Sequence, residues 1–454
     1  MNNHDEDYFV KRPVTPTEEK QADKKTTDIQ PDTIRDKKSV KRIFPNNKKT
    51  SGNTLELSQS TKQSAVAEIP VADKHKFFKI PDTMKAGSVD MVFLVLLILL
   101  LAFGAVMSFS ASYAYASKKY GDSYYYLERQ LLFMFLGFIA ILIVTMFPLK
   151  TYQMVTYIVF GVAIILLLLV LIKGVERGGA KRWLQIPGFG VFQPSELGKT
   201  ALVMALAMYM AKFADYVQAP GIKKSFLYGM IFPALFIGLI GGLVVLEKHF
   251  SGLIIICCIG LSVMVLGGTK LRYIVPIGLV AAAGIAVLIL FTDYSSSRIE
   301  VWLDPWSEPR GSGWQTIQGL YTIASGGIFG VGLGNSRQKY GYVSEPQNDF
   351  IFTIVCEELG FIGALAVIVL FFLLIWRGFH IARHSPNRFT YLIVMGLMIK
   401  IAFQVGFNIA VVTNSIPNTG ISLPFFSSGG TSLLVQMAEM GIVLSISRYA
   451  HIKK

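Results

Sequence analysis

Cysteine is nearly absent from this chain. Three stand in 454 residues, Cys257, Cys258 and Cys356, all in apolar segments, and an odd number of buried thiols builds no disulfide framework. They read as packing residues. Charge is scarce too: 16% of residues are charged against 52% hydrophobic, outside the range of ordinary soluble domains. A Walker loop, an HExxH pair, a GxSxG elbow and a CxxC pair are all missing, which removes the usual marks of nucleotide hydrolysis, zinc proteolysis, α/β-hydrolase chemistry and dithiol redox work. There is no repeat at fixed spacing. Aromatic-interleaved basic patches are missing as well, so the net charge of +14 does not point to nucleic acid. No early apolar stretch precedes the first long one, so a cleavable signal peptide is not expected and the first span inserts.

What the chain does have is long apolar runs. Stretches near 90–111, 126–148, 153–172, 195–213, 226–246, 250–267, 273–292, 350–376, 389–413 and 428–447 are each long enough to cross about 30 Å of hydrocarbon. The expected fold class is therefore an all-α integral membrane protein of about ten transmembrane helices, with a large outer loop between helices seven and eight. An even count puts both termini on one side. The Lys/Arg excess marks that side as cytosolic, because Lys150, Lys212, Lys223, Lys224, Lys270, Arg272, Arg377 to Arg388 and Arg448 to Lys454 fall together. Lys173, Arg177, Lys181 and Arg182 break the pattern by falling outside. Either the register is different there or those cations hold an anionic ligand.

Two domains follow. Residues 1–86 are rich in Lys, Asp, Thr, Ser and Gln without helical or strand periodicity, the composition of a disordered, basic, cytoplasmic tail. Residues 87–450 form the membrane domain, with an extracytoplasmic loop at about 293–349. The end of the tail, HKFFKIPDTMK at 75–85, suits either a headgroup-binding segment or a plain juxtamembrane linker.

Four outward segments could carry chemistry. In GGAKRWLQIPGFGVFQPSELGK at 178–199, Arg182 and Trp183 precede a helix opened by Gln193, Pro194, Ser195 and Glu196, residue types that suit a first turn with unpaired N–H groups. Lys199, one turn on, can pair with Glu196; an intramembrane pair of this kind is either a site or a structural ion pair. In LEKHFSG at 246–252, Glu247 and His249 could bind a cation with Glu196, or simply be solvated. The 302–363 segment offers Asp304, Glu308, Arg310, Gly311, Gly313, Gln315 and Gln318, where glycines permit close backbone approach and amides orient hydroxyls. It continues with Arg337, Lys339, Glu345, Asp349, Glu357 and Glu358, the last two readable as a charge-paired helix start. The 414–432 segment, NSIPNTGISLPFFSSGGTS with Ser427 and Ser428, breaks the membrane pattern as a cavity-lining loop would.

Together, KRWLQIPGFGVFQPSELGK, DPWSEPRGSGWQTIQGLYTIASGGIFGVGLGNSRQKYGYVSEPQNDFIFTIVCEELGFIG and IPNTGISLPFFSSGGTSLL resemble the SEDS (shape, elongation, division, sporulation) family of FtsW, RodA and SpoVE. The resemblance runs from about 90 to 450, and the DPW and GSGWQ wording is closer to the division and sporulation branch than to the elongation branch. It implies a peptidoglycan glycosyltransferase of the bacterial cytoplasmic membrane, polymerising lipid II at the outer face onto undecaprenyl-linked glycan and releasing undecaprenyl pyrophosphate. It also implies a class B penicillin-binding protein and other divisome proteins as partners, a divalent cation (Mg or Mn), and no organic cofactor. Within the family's DPxxDPxGxG wording the essential aspartate falls on Glu308, which keeps the acid-base capability one methylene further out, with Asp304 as the earlier acid. The family's acidic wording after the fifth span falls on Glu247, Lys248 and His249. Glu308 would take the acceptor's proton, while Arg182, Lys199 or the cation would offset charge on the pyrophosphate. Arg182, Trp183, Gln193, Ser195, Glu196, Lys199, Gly311, Gln315, Gln318, Asp349, Ser427 and Ser428 are the expected substrate contacts. A lipid II transporter and a non-catalytic division scaffold are the competing readings.

Overall fold

The computed structural model describes residues 86–177, 180–187, 190–290 and 293–450; the expected tail at 1–86 lies outside them but for its last residue. Helix α1 (Met91–Tyr120) begins at Asp90, whose carboxylate accepts the Phe93 N–H at 2.9 Å, and ends at Gly121 with φ 74°. A carboxylate at the first turn and a left-handed glycine after the last are what unpaired helix termini need. Its 30 residues extend about 45 Å, so its last turns stand clear of a bilayer core.

The chain continues through α2 (Tyr125–Met146) and α3 (Leu149–Lys173), a small antiparallel sheet of β1 (Val175–Arg177), β2 (Ala180–Ile186) and β3 (Gly190–Phe192), and α4 (Pro194–Lys212). Short α5 (Ala214–Val217) and α6 (Ile222–Phe226) lead through one π turn into α7 (Phe232–Leu246), followed by α8 (Phe250–Leu266), α9 (Leu271–Leu290) and α10 (Asp293–Leu303). Then come α11 (Trp314–Gly326), α12 (Ile351–Arg383), α13 (Arg388–Val412) and α14 (Gly430–Ser447). The protein is mostly helical. Among the described residues, seven helical stretches, with α6 to α7 counted as one, are long and apolar enough to cross a membrane. The other three expected spans are also helices: α4, α8 and α9. Two features depart from the expectation: the 173–194 connection folds as a sheet, and the outer loop contains α10 and α11.

Helix α4 is the axis of the bundle, with 16 of its 19 residues buried and α3, α7, α8 and α13 around it. Helices α2 and α14 pack together by glycine. A Cβ on Gly137 would collide with Met437, and one on Gly441 would lie 3.1 Å from the Ile141 Cα, the small-residue contact that lets membrane helices approach closely. Outward side chains such as Met146 and Ile172 remain 75% and 77% exposed, an apolar coat suited to lipid rather than water.

Both ends of the membrane domain meet at one face. The Gly87 N–H donates to the Arg448 carbonyl at 2.7 Å, the Asp90 N–H to Ser447 Oγ at 3.0 Å, and Arg377 forks onto the Asp90 carboxylate. Arg388 reaches the Gly267 carbonyl at 2.6 Å and Lys270 the Ala219 carbonyl at 2.9 Å on that face. The expected cationic end of the bundle is thus a single surface.

Candidate functional site

At the opposite end, segments far apart in sequence tie into one rim. Arg298 donates to the Asn418 carbonyl at 2.8 Å, and the Trp302 indole to the Asn414 carbonyl at 3.1 Å. Asn418 reaches Gln315 Oε1 at 3.3 Å, Thr431 the Val191 carbonyl at 2.9 Å, and Ser251 the Thr419 carbonyl. Arg182 on β2 hydrogen-bonds the Lys248 carbonyl. The sheet, the α7–α8 turn, the α10–α11 loop and the 414–429 loop therefore share one surface above an apolar bundle.

The two acids expected to act lie on that surface. Asp304 accepts the Trp306 N–H at 3.0 Å, and the Glu308 carbonyl takes the N–H groups of Gly311 and Gly313 at 3.1 and 3.2 Å. Ser312 Oγ donates to Glu308 Oε2 at 2.7 Å, leaving the other oxygen with no protein donor among the described residues. Both acids are exposed. Gly313 has to be glycine: a Cβ there would run into the Pro305 carbonyl. This turn ends in α11, so Glu308 sits on a hydrogen-bonded loop braced by a helix. Gln318 is buried within α11, while Gln315 remains at the rim.

Beneath the rim lies a buried polar cluster. Lys199 donates to Glu196 at 2.7 Å, Lys400 on α13 bonds Glu439 on α14 and lies 3.8 Å from Glu196, Gln404 donates to Glu196 at 3.3 Å, and Thr200 bonds Glu439. Two acids and two lysines balance, as buried charges must. Above them Ser195 Oγ and His249 Nδ1 are 3.3 Å apart. Glu247 is 1% exposed, and neither carboxylate oxygen has a hydrogen-bond partner among the described residues. Burial pushes its carboxyl up to about 8, opposed by Arg182. Burial first, then the cations Arg182 and Lys199, hold His249 down to about 3.

Glu196, Glu247 and His249 do not fit a divalent-cation site. Two ammonium groups already occupy Glu196, and no group of three acidic, histidine or cysteine side chains suited to a metal occurs among the described residues. Lys199 corrects the sequence reading in the same way: at 2% exposure and bonded to Glu196, it stabilises the core and does not present its charge to the rim. Trp183 and Gln193 are half-buried.

A second buried cluster sits at the start of α12. Glu358 accepts from Lys339 at 2.9 Å and Ser110 at 2.7 Å, while Glu357 accepts the Arg337 N–H at 3.0 Å and bonds Ser336. These acids are not a solvent-facing helix start. They grip the 326–339 segment, which threads into a break in α12. At Gly360 the backbone adopts φ 66°, ψ −166°, and the Phe361 and Ile362 N–H groups turn to the Gly327 and Ile328 carbonyls at 2.9 and 3.2 Å. The Glu357 and Glu358 carbonyls take the Val331 and Gly332 N–H groups at 2.9 and 3.0 Å. Four backbone groups at the break thus find partners in the inserted segment, as a low-dielectric setting requires.

Ser427 and Ser428 spend their hydroxyls on Asn348, at 2.7 and 3.0 Å, so they clasp the 414–429 loop to the chain before α12. Asp349 beside them is partly buried, and burial pushes its carboxyl up to about 6. Sequence reading missed Lys400, Glu439 and Gln404. The signal was available, since a lysine or glutamate inside an apolar span is a candidate by default.

The chain is similar to known proteins over most of its length. A family model described as cell cycle protein, FtsW/RodA/SpoVE, matches residues 90–452. The chain is similar to the stage V sporulation protein E of Bacillus subtilis, at 38% identity over 382 residues, covering 81% of this chain and 99% of that protein. It is similar to a probable peptidoglycan glycosyltransferase FtsW of Geobacter sp. strain M18, at 35% identity over 360 residues, covering 79% and 96%. Among solved structures, a chain from work on the structural coordination of polymerization and crosslinking by a peptidoglycan synthase complex superposes with a TM-score of 0.65 at 28% identity, covering 79% of this chain and 98% of its own.

Proposed function

The chain belongs to the FtsW/RodA/SpoVE family of cell cycle proteins, and on that footing we propose that it is a peptidoglycan glycosyltransferase of the bacterial cytoplasmic membrane. Its substrate is lipid II, which it polymerises at the outer face during division or sporulation. A class B penicillin-binding protein works beside it, and its termini face the cytoplasm. The observation that carries this reading is the convergence of four separate outward segments on one rim, with the Glu308 turn exposed on it. An apolar bundle has no structural need for such a surface, whereas a lipid-linked sugar needs a polar platform at the end of a lipid-facing scaffold.

The acceptor sugar hydroxyl attacks the anomeric carbon of the donor, Glu308 takes the hydroxyl proton, and the bond from that carbon to the phosphate oxygen breaks, releasing undecaprenyl pyrophosphate. Glu308 suits the role because one carboxylate oxygen is held by Ser312 and the other is open; base catalysis of this kind contributes about 10²–10⁴-fold. Arg182, half-buried at the edge of the sheet, offsets charge on the departing pyrophosphate. Mg or Mn would supply the same neutralisation, brought in with the pyrophosphate rather than held by the protein.

Transport of the same lipid is favoured by one observation: the Glu196–Lys199–Lys400–Glu439 cluster inside the bundle, since intramembrane charges often line translocation paths. Purified protein in liposomes containing lipid II separates the two. Polymerisation predicts glycan strands on a gel, with Mg or Mn added or chelated as parallel arms. Transport alone predicts lipid II reaching the far leaflet with no strand formed.

A further inference from the structure

Two contacts between α1 and α12 gauge depth along the bundle. At the basic end Arg377 on α12 grips Asp90 at the start of α1, and toward the rim Ser110 on α1 bonds Glu358 on α12. Each helix has about twenty residues between these contacts, which is about 30 Å of rise and equals the thickness of a hydrocarbon core. Two helices counted separately agree, so the Ser110–Glu358 contact marks the rim-side edge of the hydrocarbon.

The break in α12 lies inside that edge. Phe361 and Ile362, whose N–H groups bond the Gly327 and Ile328 carbonyls, follow Glu358 by about one turn, about 5 Å nearer the basic end. The inserted segment is therefore held at hydrocarbon depth, and its side chains suit that depth. Ile328 and Phe329 are 63% and 79% exposed, with Val331 and Leu333 exposed beyond them. Phe361 and Ile362 are exposed on the adjoining part of α12, so the apolar surface of the segment continues that of a helix long and apolar enough to cross a membrane. Polar side chains return after Gly334, where Asn335 and Arg337 are exposed and Lys339 bonds Glu358 at the edge.

Irregular backbone survives at such depth where its polar groups are paired. Here the Gly330 N–H bonds the Gly326 carbonyl at 2.8 Å, besides the bonds of Val331 and Gly332 to α12. Facing water, the tip would leave a contiguous apolar patch solvated, whereas acyl chains match it. On α11 and the loop before it, Tyr321 and Trp306 are exposed with ring centres 5.9 Å apart, the residue types that collect at headgroup level.

We infer that residues 327–333 form a re-entrant wedge, which inserts Ile328 and Phe329 among the acyl chains of the leaflet on the rim side. The inference rests on depth and apolarity, not on the polymerase reading. Helix α11 starts after the Glu308 turn and ends where the wedge begins, so lipid holds the far end of the helix that braces that turn.

The test attaches a bimane fluorophore to the introduced thiol of F329C, and of S344C for comparison, in the full chain in phosphatidylcholine vesicles. The parent, with its three cysteines, supplies the background. Phe329 and Ser344 are both exposed, so neither substitution disturbs packing. Nitroxide lipids labelled near the headgroup end of the acyl chain should remove most of the F329C emission, those labelled near the methyl end less, and aqueous iodide none. S344C should lose its emission to iodide and keep it with either lipid. Iodide quenching of F329C equal to that of S344C would put the tip in water and overturn the wedge. Protection from iodide and from both lipids would overturn it as well, by showing a protein surface, such as a second copy, over the tip. Stronger quenching from the methyl end would overturn the depth assigned by the two contacts.

Discussion

Replacing Gly360 by alanine should unseat the segment that links the α11 helix to the buried acids of α12. At φ 66°, ψ −166° the backbone occupies a region open essentially to glycine, and forcing another residue there costs about 1–3 kcal/mol. The new Cβ would also lie 2.5 Å from the Ile328 carbonyl oxygen and 2.6 Å from its carbon, besides overlapping the Gly330 nitrogen. All of these are backbone atoms, so no rotamer change relieves the clash. The strands must part, and the hydrogen bonds from Phe361, Ile362, Val331 and Gly332 weaken together, each worth about 0.5–1.5 kcal/mol. The combined loss is about 3–9 kcal/mol, enough to release the 326–339 segment without dissolving the apolar bundle. Limited proteolysis in detergent micelles reads this directly: the G360A protein should be cut between 327 and 339 far faster than the parent, with a lower Tm. Gly161 on α3, where a Cβ meets nothing within 4 Å, is the control, and G161A should be neutral or slightly stabilised. Parental protease resistance and Tm in G360A would refute the threaded-loop account.

Three further outcomes follow from the buried groups. Lys400→Met leaves Glu439 and Glu196 short of a cation and should cost about 3–5 kcal/mol, whereas Lys400→Met with Glu439→Leu should recover most of that stability; Tm values of the single and double variants decide it. Because the Glu247 carboxyl stands at about 8 in the folded chain against an ordinary 4.5, the folded state binds the extra proton between those values, so Glu247 makes stability fall as pH rises through that window. Glu247→Gln should therefore raise Tm relative to the parent at pH 8.5 and much less at pH 5. Arg182→Gln should slow polymerisation about tenfold or more, as expected when one charge-stabilising group is lost, with Arg182→Lys recovering part of the rate in a glycan-strand assay.

Much of the scaffold is readable from hydropathy alone, because lipid imposes length and apolarity on every crossing; the expected positions all hold helices, and the basic end is one surface. The α1 cap was legible too, since Asp90 precedes the first apolar turn. The sheet was not: Gly, Pro and Arg through 175–192 look like a loop, and only the cross-strand pairing of Leu184 with Phe192 reveals otherwise. Nor was the break at Gly360, where GFIG sits inside an uninterrupted apolar pattern. Lys400 and Glu439 are each visible singly, but their pairing depends on the packing of α13 against α14. The meeting of Arg298 with Asn418 and of Gln315 with the same residue is a product of tertiary folding, which local pattern does not encode. The sequence marked the right outer segments as a group, while their geometry reassigned Lys199, Ser427 and Ser428 from substrate contacts to structural supports.

The most direct test of the central claim is the initial rate of strand formation from purified lipid II by the parent, E308Q and E308D proteins, each shown by Tm to be equally folded. The account predicts a fall of about 10²–10⁴-fold in E308Q, with E308D retaining measurable activity because it keeps a carboxylate on the same turn. An E308Q protein that polymerises at the parental rate would contradict it.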